Sequence, residues 1–233
     1  MRIPFLAILV SVLAFAATPA FAADPPPPPP AASPPAPPEA PRVGLELDAR
    51  TGVALPLGYT VSGAQMSDSI AAQIPVQIDF GVRPEPHWFV GAYGSYGALV
   101  PASNACPGGS CSGYDLRVGV EAAYRFRPDE RLNPWIGLGT GYEWLTFSQS
   151  ADGANASVTL RGFEIVNLQT GLDIAVHPRI HVGPYIGASL GLFDHVDESV
   201  VQRGETFQLS EGVLQMAVHG WATLGVRGSF DLL

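Results

Sequence analysis

The last fifteen residues of the chain alternate with a period of two between apolar or small residues and mostly polar ones. One face of the extended strand carries Ala222, Leu224, Val226, Gly228, Phe230 and Leu232, and the other carries Thr223, Gly225, Arg227, Ser229 and Asp231. Strands average about five or six residues in soluble proteins, whereas a tilted strand needs roughly 9–11 residues to cross a bilayer. The pattern therefore predicts a membrane-spanning strand with one face towards lipid and the other towards the inside of a closed barrel.

Seven earlier segments repeat this alternation, which gives eight predicted strands. They cover about 43–56, 73–83, 88–99, 116–127, 136–144, 166–174, 182–191 and 219–233. Long polar connections near 58–70, 100–114, 148–157 and 194–211 alternate with short turns near 84–87, 128–133 and 177–179. Long external loops and tight periplasmic turns are typical of outer-membrane barrels. The predicted fold class is therefore all-β, an eight-stranded antiparallel up-and-down transmembrane β-barrel.

The alternation leaves some choices open. In strand three, an outward position for Val90 and Tyr96 turns Phe89 and Tyr93 inward, so the facing of this strand is not determined. Glycines on strands five and seven make room either for a narrow cavity or for long arginine side chains opposite. A soluble ligand-binding barrel would place the apolar face inside and the polar face outside; the strand lengths and the N-terminal segment favour the membrane barrel.

The first 42 residues have a different composition from the rest. Arg2, the apolar run 3–16 and the small-x-small site Ala20-Phe21-Ala22 predict a secretory signal peptide over 1–22. The apolar run is too short for a spanning helix of about 20 residues. Residues 23–42 include six consecutive prolines, 25–30, and predict a disordered, extended periplasmic segment. This segment is either a tether or a plain leader, and residues 43–233 form the barrel domain.

Composition and the two cysteines narrow the function classes. Charged residues make up 14% of the chain and its formal net charge is −9, so there is no electrostatic case for nucleic-acid binding. Cys106 and Cys111 have four residues between them in a predicted loop. In an exported protein this spacing predicts a disulfide. A metal-binding pair is the alternative, but no third or fourth ligand stands near in the sequence.

Opposite charges recur at the predicted inward positions of neighbouring strands. The predicted lumen charge network consists of Glu46, Asp48, Arg50, Asp79, Arg83, Arg117, Glu121, Arg125, Glu143, Asp173, Arg227 and Asp231. The interior of an eight-stranded barrel is just wide enough for side chains. We therefore expect a plug of ion pairs and hydrogen bonds rather than an aqueous channel.

Aromatic residues recur near the predicted strand ends, where outer-membrane barrels carry their two interfacial belts. The predicted belt residues are Trp88, Tyr124, Phe126, Trp135, Tyr142, Trp144, Trp221 and Phe230. Such belts predict contact with membrane lipid at both interfaces.

Three stretches resemble the eight-stranded outer-membrane β-barrel superfamily, which includes OmpA-, OmpW- and opacity-protein-like barrels. They are residues 45–52 (LELDARTG), residues 134–143 (PWIGLGTGYE) and the last strand. The resemblance covers the barrel but not the proline-rich segment. It implies insertion by the barrel insertion machinery into the outer membrane of a Gram-negative-type bacterium. It does not imply one activity, because the superfamily includes structural, adhesive, pore-forming and enzymatic members.

The first functional hypothesis is a non-enzymatic outer-membrane protein with an envelope-structural or surface-interaction role, a plugged lumen and four extracellular loops whose partner the sequence does not name. The alternative is a narrow OmpW-like passage for small or apolar solutes, and the third is a lipid-modifying enzyme. Acyl transfer needs a nucleophile within reach of a base. The histidines, including His195 and His219 near the outer side, show no recognisable spacing to a serine. We therefore predict no catalytic residue, no metal site and no cofactor.

Overall fold

A computed structural model describes residues 43–60, 63–107, 109–151, 154–202 and 205–232. The predicted signal peptide and proline-rich segment lie outside these residues. In the part of the chain that the structure describes, no helix has the length and apolar character needed to cross a membrane.

Eight strands form one closed antiparallel ring in chain order, and the last strand closes on the first. The strands are β1 (Gly44–Gly58), β2 (Ile70–Glu85), β3 (Trp88–Pro101), β4 (Ser110–Arg125), β5 (Leu132–Ala151), β6 (Ala154–His177), β7 (Ile180–Gln202) and β8 (Glu205–Asp231). A short helix, α1 (Met66–Ser69), lies between β1 and β2. The predicted fold class is confirmed, and closure satisfies the backbone groups that an edge strand would expose.

The outer wall of the barrel is apolar and the inner wall is polar. On β2, Ile74, Val76 and Ile78 are each about half exposed, whereas Gln77 and Asp79 between and beside them are buried. The same inversion recurs around the ring, and it is opposite to the arrangement of a soluble ligand-binding barrel. On β3, Phe89 and Tyr93 are buried and Val90 and Tyr96 are exposed, which settles the facing of that strand.

Two of the four predicted extracellular loops are mostly strand, which corrects the sequence-based boundaries. β5 continues to Ala151 and β6 starts at Ala154, and β7 and β8 are likewise separated by only two residues. These stretches are polar on the outward face, so they lack the apolar alternation on which the strand prediction relied. The dipeptide Asp152-Gly153 is a typical hairpin signal that the prediction did not use.

The other two extracellular connections have distinct contents. The β1–β2 connection carries α1. The predicted disulfide joins Cys106 in the β3–β4 connection to Cys111 at the start of β4, with Cα atoms 6.0 Å apart. β4 pairs with β5 up to Ser110 and Ser150, so β4 to β8 form a tall side that rises above the short side, β1 to β3, at the extracellular end.

Candidate functional site

All twelve predicted network residues lie on the inner wall, where they group into three clusters from the periplasmic end upward. In the lower cluster, Arg227 pairs with Asp48 at 2.5 Å, with Glu46 at 3.3 Å and with Asp173 at 3.5 Å. Arg125 also donates to Glu46. Arg83 pairs with Glu46 at 3.2 Å and with Asp231 at 2.8 Å. These contacts join five strands across the lower lumen.

The middle cluster is organised by Arg50. Its Nε lies 3.1 Å from Asp79 Oδ2, one terminal nitrogen pairs with Glu121, and the other donates to the Gln169 side chain. Gln77 donates to Asp79 Oδ1 at 2.7 Å. A planar guanidinium suits this position because it can serve several acceptors from different strands at once.

The upper cluster combines arginine with neutral donors. Arg117 pairs with Asp115 at 3.0 Å and with Glu164 at 3.1 Å. Gln73 donates to Asp115 at 2.7 Å, and the Tyr93 hydroxyl donates to Glu164. Tyr93 fits across the lumen because glycines face it: a Cβ added to Gly141 would lie 2.5 Å from the Tyr93 hydroxyl oxygen. Here the glycines accommodate a tyrosine, where the sequence suggested long arginine side chains or a narrow cavity.

Glu143 in the same cluster accepts two hydrogen bonds from β8. His219 Nε2 lies 2.7 Å from one carboxylate oxygen, and Trp221 Nε1 donates to the other at 3.0 Å. The Phe193 ring stacks on the His219 ring, with centroids 3.6 Å apart. His219 Nδ1 has no hydrogen-bond partner, and the histidine is 1% exposed.

An apolar cluster closes the extracellular end of the lumen, and we call it the apolar cap. It consists of Ala54, Met66, Ile70, Leu99, Leu145, Leu160, Phe193 and Trp221. Met66 comes from α1, so the short helix closes the cap from the β1–β2 connection. Phe193 and Trp221 contact His219 and Glu143 below them, which joins the cap to the upper cluster.

The predicted aromatic belts need two corrections. Trp135 and Trp221 are each 1% exposed and lie inside the barrel, not at the lipid interface. The Arg227 guanidinium lies 4.3 Å from the Trp135 ring centroid and that of Arg50 lies 5.5 Å away, distances suited to cation–π contact. Both tryptophans stand at the inward parity of their strands, and this parity outweighs the general preference of tryptophan for the interface.

The other predicted belt residues lie on or near the outer wall. At the periplasmic end, Tyr124 packs edge-on against Trp88 and Phe126, with centroids 5.1 and 5.2 Å apart. At the extracellular end, Tyr142 packs edge-on against Trp144 at 4.7 Å and against Phe163 at 5.0 Å. Phe230 is half-buried near the end of β8. Phe163 was not predicted, because the register shift between Glu164 and Val166 turns it and Ile165 outward, against the parity of Val166 and Leu168.

Carboxylates outnumber arginines among the described lumen residues, nine to five. The carboxylates are Glu46, Asp48, Asp79, Asp115, Glu121, Glu143, Glu164, Asp173 and Asp231, and the arginines are Arg50, Arg83, Arg117, Arg125 and Arg227. Neutral side chains such as Gln73, Tyr93 and Trp221 donate hydrogen bonds to some of the carboxylates that are in excess. Buried carboxylates need such partners because leaving water is costly for an unpaired charge.

Three of these carboxylates are close enough to hold a cation. Asp48, Asp79 and Glu121 each offer an oxygen within 4.8 Å of the others. Arg50 pairs with two of them and Arg227 with the third. The arginines therefore already supply the positive charge at this point.

Several lumen residues were missed from the sequence. Asp115 has the parity of Arg117 but lies between the predicted loop, 100–114, and the predicted strand, 116–127. Glu164 escaped because a register shift between Glu164 and Val166 changes which residues face inward. His219 has the inward parity of Arg227, and this signal was available.

No protein-family model and no curated protein matches the chain. Its fold is similar to that of a major outer membrane protein from Thermus thermophilus, with a TM-score of 0.61, 9% sequence identity and coverage of 82% of this chain and 99% of that one. Neisserial surface protein A gives a TM-score of 0.44 and 16% identity over 79% of this chain and 95% of its own. The outer membrane protein AlkL gives 0.43 and 14% over 86% and 96%.

The closed ring, the apolar outer wall and the similarity to the Thermus protein define the class of fold, which is the outer-membrane β-barrel. Within that class, this chain is an eight-stranded barrel with a charged, filled lumen, an apolar cap and one side taller than the other.

Proposed function

We propose that this chain is a non-enzymatic outer-membrane protein with a closed lumen, and that its extracellular end serves envelope structure or surface interaction. The observation that carries the proposal is the filling of the lumen. A cavity beside Gln77, Arg117 and Tyr185 has a volume of about 20 Å³, which is room for about one water molecule. Membrane lipid and the insertion machinery are the partners expected of any such barrel.

The apolar cap supports a closed lumen independently of the ion pairs. Its residues come from the inner walls of seven strands and from α1. A hydrated ion entering from outside would have to leave water against side chains that offer it no hydrogen bond, which is unfavourable. The ion pairs below the cap occupy the lumen of the described barrel, so the charged clusters and the cap support closure together.

The His219–Glu143 pair supports a non-enzymatic role. General-base catalysis needs the histidine within hydrogen-bond reach of a nucleophile. Here Nε2 contacts the carboxylate, Nδ1 has no partner, and Phe193 covers the ring. The pair is better suited to joining β5 and β8 below the cap.

Single-channel recording in a planar bilayer tests the closed lumen. We expect no discrete openings from the wild-type chain, and openings from a double variant that breaks both closures, Arg50→Ala with Phe193→Ala. The matched control is Arg161→Ala, which removes an arginine from the outer face. Discrete openings from the wild type would contradict the proposal and favour a narrow passage for small solutes.

A further inference from the structure

The outer wall of the tall side changes character in a fixed order along a single strand. On β5, the outward residues run from Leu138 through Thr140, Tyr142 and Trp144 to Thr146, Ser148 and Ser150. The Thr140 hydroxyl donates to the Glu164 carbonyl oxygen at 2.8 Å, so it is already used within the barrel wall. Leu138 belongs to the lipid-facing wall, and the edge-packed aromatic rings mark the membrane interface. The uninterrupted series of hydroxyl side chains therefore begins directly above the aromatic rings, on the same continuous face.

These hydroxyls are not isolated, because the strand register aligns them into rows across five strands. The lower row is Ser112, Ser148, Ser157, Ser199 and Gln208. The upper row is Ser110, Ser150, Asn155, Val201 and Thr206. We call these two rows the hydroxyl ladder. Nine of its ten members are uncharged polar residues, whereas large apolar side chains dominate the outer wall below the aromatic rings.

The ladder forms a shallow, hydrogen-bonding surface. Ser150 donates to Asn155 at 2.5 Å, and just below the ladder the Thr146 and Thr159 hydroxyls lie 3.0 Å apart. Rows two residues apart are separated by roughly 7 Å along the strands, and neighbouring strands by about 4.8 Å. Two depressions of about 170 and 480 Å³ lie between the strands of this face. Hydroxyl and amide groups both donate and accept, as saccharide hydroxyls do.

A cation lies at the base of the ladder, level with the aromatic belt. Arg161 pairs in register with Trp144 and is directed outward, with its side chain 45% exposed. It forms an ion pair with Asp197 at 2.6 Å. A guanidinium at the membrane interface is well suited to contact a phosphate, because it donates in a planar fork.

We propose that this face binds a phosphorylated glycolipid of the outer leaflet, with acyl chains on the apolar wall, phosphate near Arg161 and saccharide on the hydroxyl ladder. The order of chemistry along the wall, apolar then cationic then hydroxylated, matches the order of groups in such a lipid. The inference rests on the proposed function in one respect, namely that the barrel lies in the outer membrane with this end outside.

Native mass spectrometry of the full, detergent-solubilised chain tests the assignment with three probes. They are lipopolysaccharide, lipid A, which lacks the polysaccharide, and free polysaccharide, which lacks the lipid. We expect lipopolysaccharide to bind about tenfold more tightly than lipid A, because ladder hydrogen bonds to the saccharide add to the shared contacts. The double variant Ser157→Val with Ser199→Val should lose this difference and bind lipid A as the wild type does. Arg161→Gln should weaken both lipids.

The matched control is Thr51→Val, which removes an exposed hydroxyl from β1 on the short side. Equal binding of lipopolysaccharide by the wild type and the ladder variant would overturn the proposal, and so would binding of free polysaccharide as tight as that of the lipid. Heat-modifiable gel mobility of each variant shows whether the barrel is intact. A conducting wild-type lumen would overturn the proposed function but would leave the glycolipid result standing.

Discussion

The three charged clusters and the apolar cap fill the same lumen by opposite means. Below, arginines and carboxylates from different strands satisfy one another, as Arg50 does with Asp79 and Glu121. Above, Leu99, Leu145 and Leu160 pack as they would in a soluble protein. The polar region specifies its geometry through directional contacts, whereas the cap depends on volume. The two regions should therefore respond differently to substitution.

The largest loss in the free energy of unfolding should come from a substitution of Arg227 in the lower cluster. Arg227→Met leaves Asp48, Glu46 and Asp173 short of a buried positive partner, and we expect a loss of about 3–5 kcal/mol in the free energy of unfolding. Urea unfolding in lipid vesicles, followed by tryptophan fluorescence, measures it, since Trp135 packs on this guanidinium. Arg161→Met, at the exposed ion pair, should cost at most about 1 kcal/mol. Equal losses would contradict the distinction between buried and exposed arginines.

A smaller effect should follow from emptying the cap. Phe193→Ala removes a fully buried ring that packs in the cap and on His219, and we expect a loss of about 3 kcal/mol from lost apolar contact and a residual cavity. The same urea experiment measures it. Phe193→Leu is the conservative control and should recover most of the loss. A loss from Phe193→Ala that exceeds that of Arg227→Met would reverse the expected ranking.

The smallest effect should come from crowding the upper cluster. Gly141→Ala places a methyl group 2.5 Å from both the Tyr93 hydroxyl oxygen and the Val118 carbonyl oxygen, and overpacking of this kind costs about 2 kcal/mol. Tyr93→Phe alone removes the hydrogen bond to Glu164, but combined with Gly141→Ala it also removes one of the two clashes, so the double variant should lose less than the sum of the two single variants. Additive losses in the double variant would contradict the role of Gly141 in accommodating Tyr93.

The barrel and most of its lumen were predictable because one physical rule governs both. Strict alternation placed Arg117, Glu121 and Arg125 on one face of β4, and the structure has all three inside. The belt prediction was wrong for Trp135 and Trp221, where the alternation rule holds but the interfacial preference of tryptophan was given more weight. The rule itself failed at Glu164, where a register shift changes the inward set and no residue type marks the position.

The alternation rule did not predict the apolar cap or the tall side, for a different reason. Leu145 and Leu160 have inward parity, but the alternation rule expects polar residues at inward positions. The rule therefore does not predict that the lumen ends in an apolar cap. The hydroxyl ladder lies on strands that extend past the bilayer, where the outward face no longer needs apolar residues. The rows form because the register aligns residues of five strands, and the register between strands cannot be read from a single sequence.

The closing seam between β8 and β1 has a consequence for the time course of assembly. The hairpins β5–β6 and β7–β8 are joined by two residues each, so they can form with little loss of chain entropy. The seam pairs Glu46 with Asp231, almost the whole barrel apart in sequence, and Ser229 donates to Glu46 across the same gap. Contacts of such long sequence separation form slowly. We therefore expect the tall side to form first and Arg227, on the seam, to acquire its partners from β1 in the final, rate-limiting step of folding.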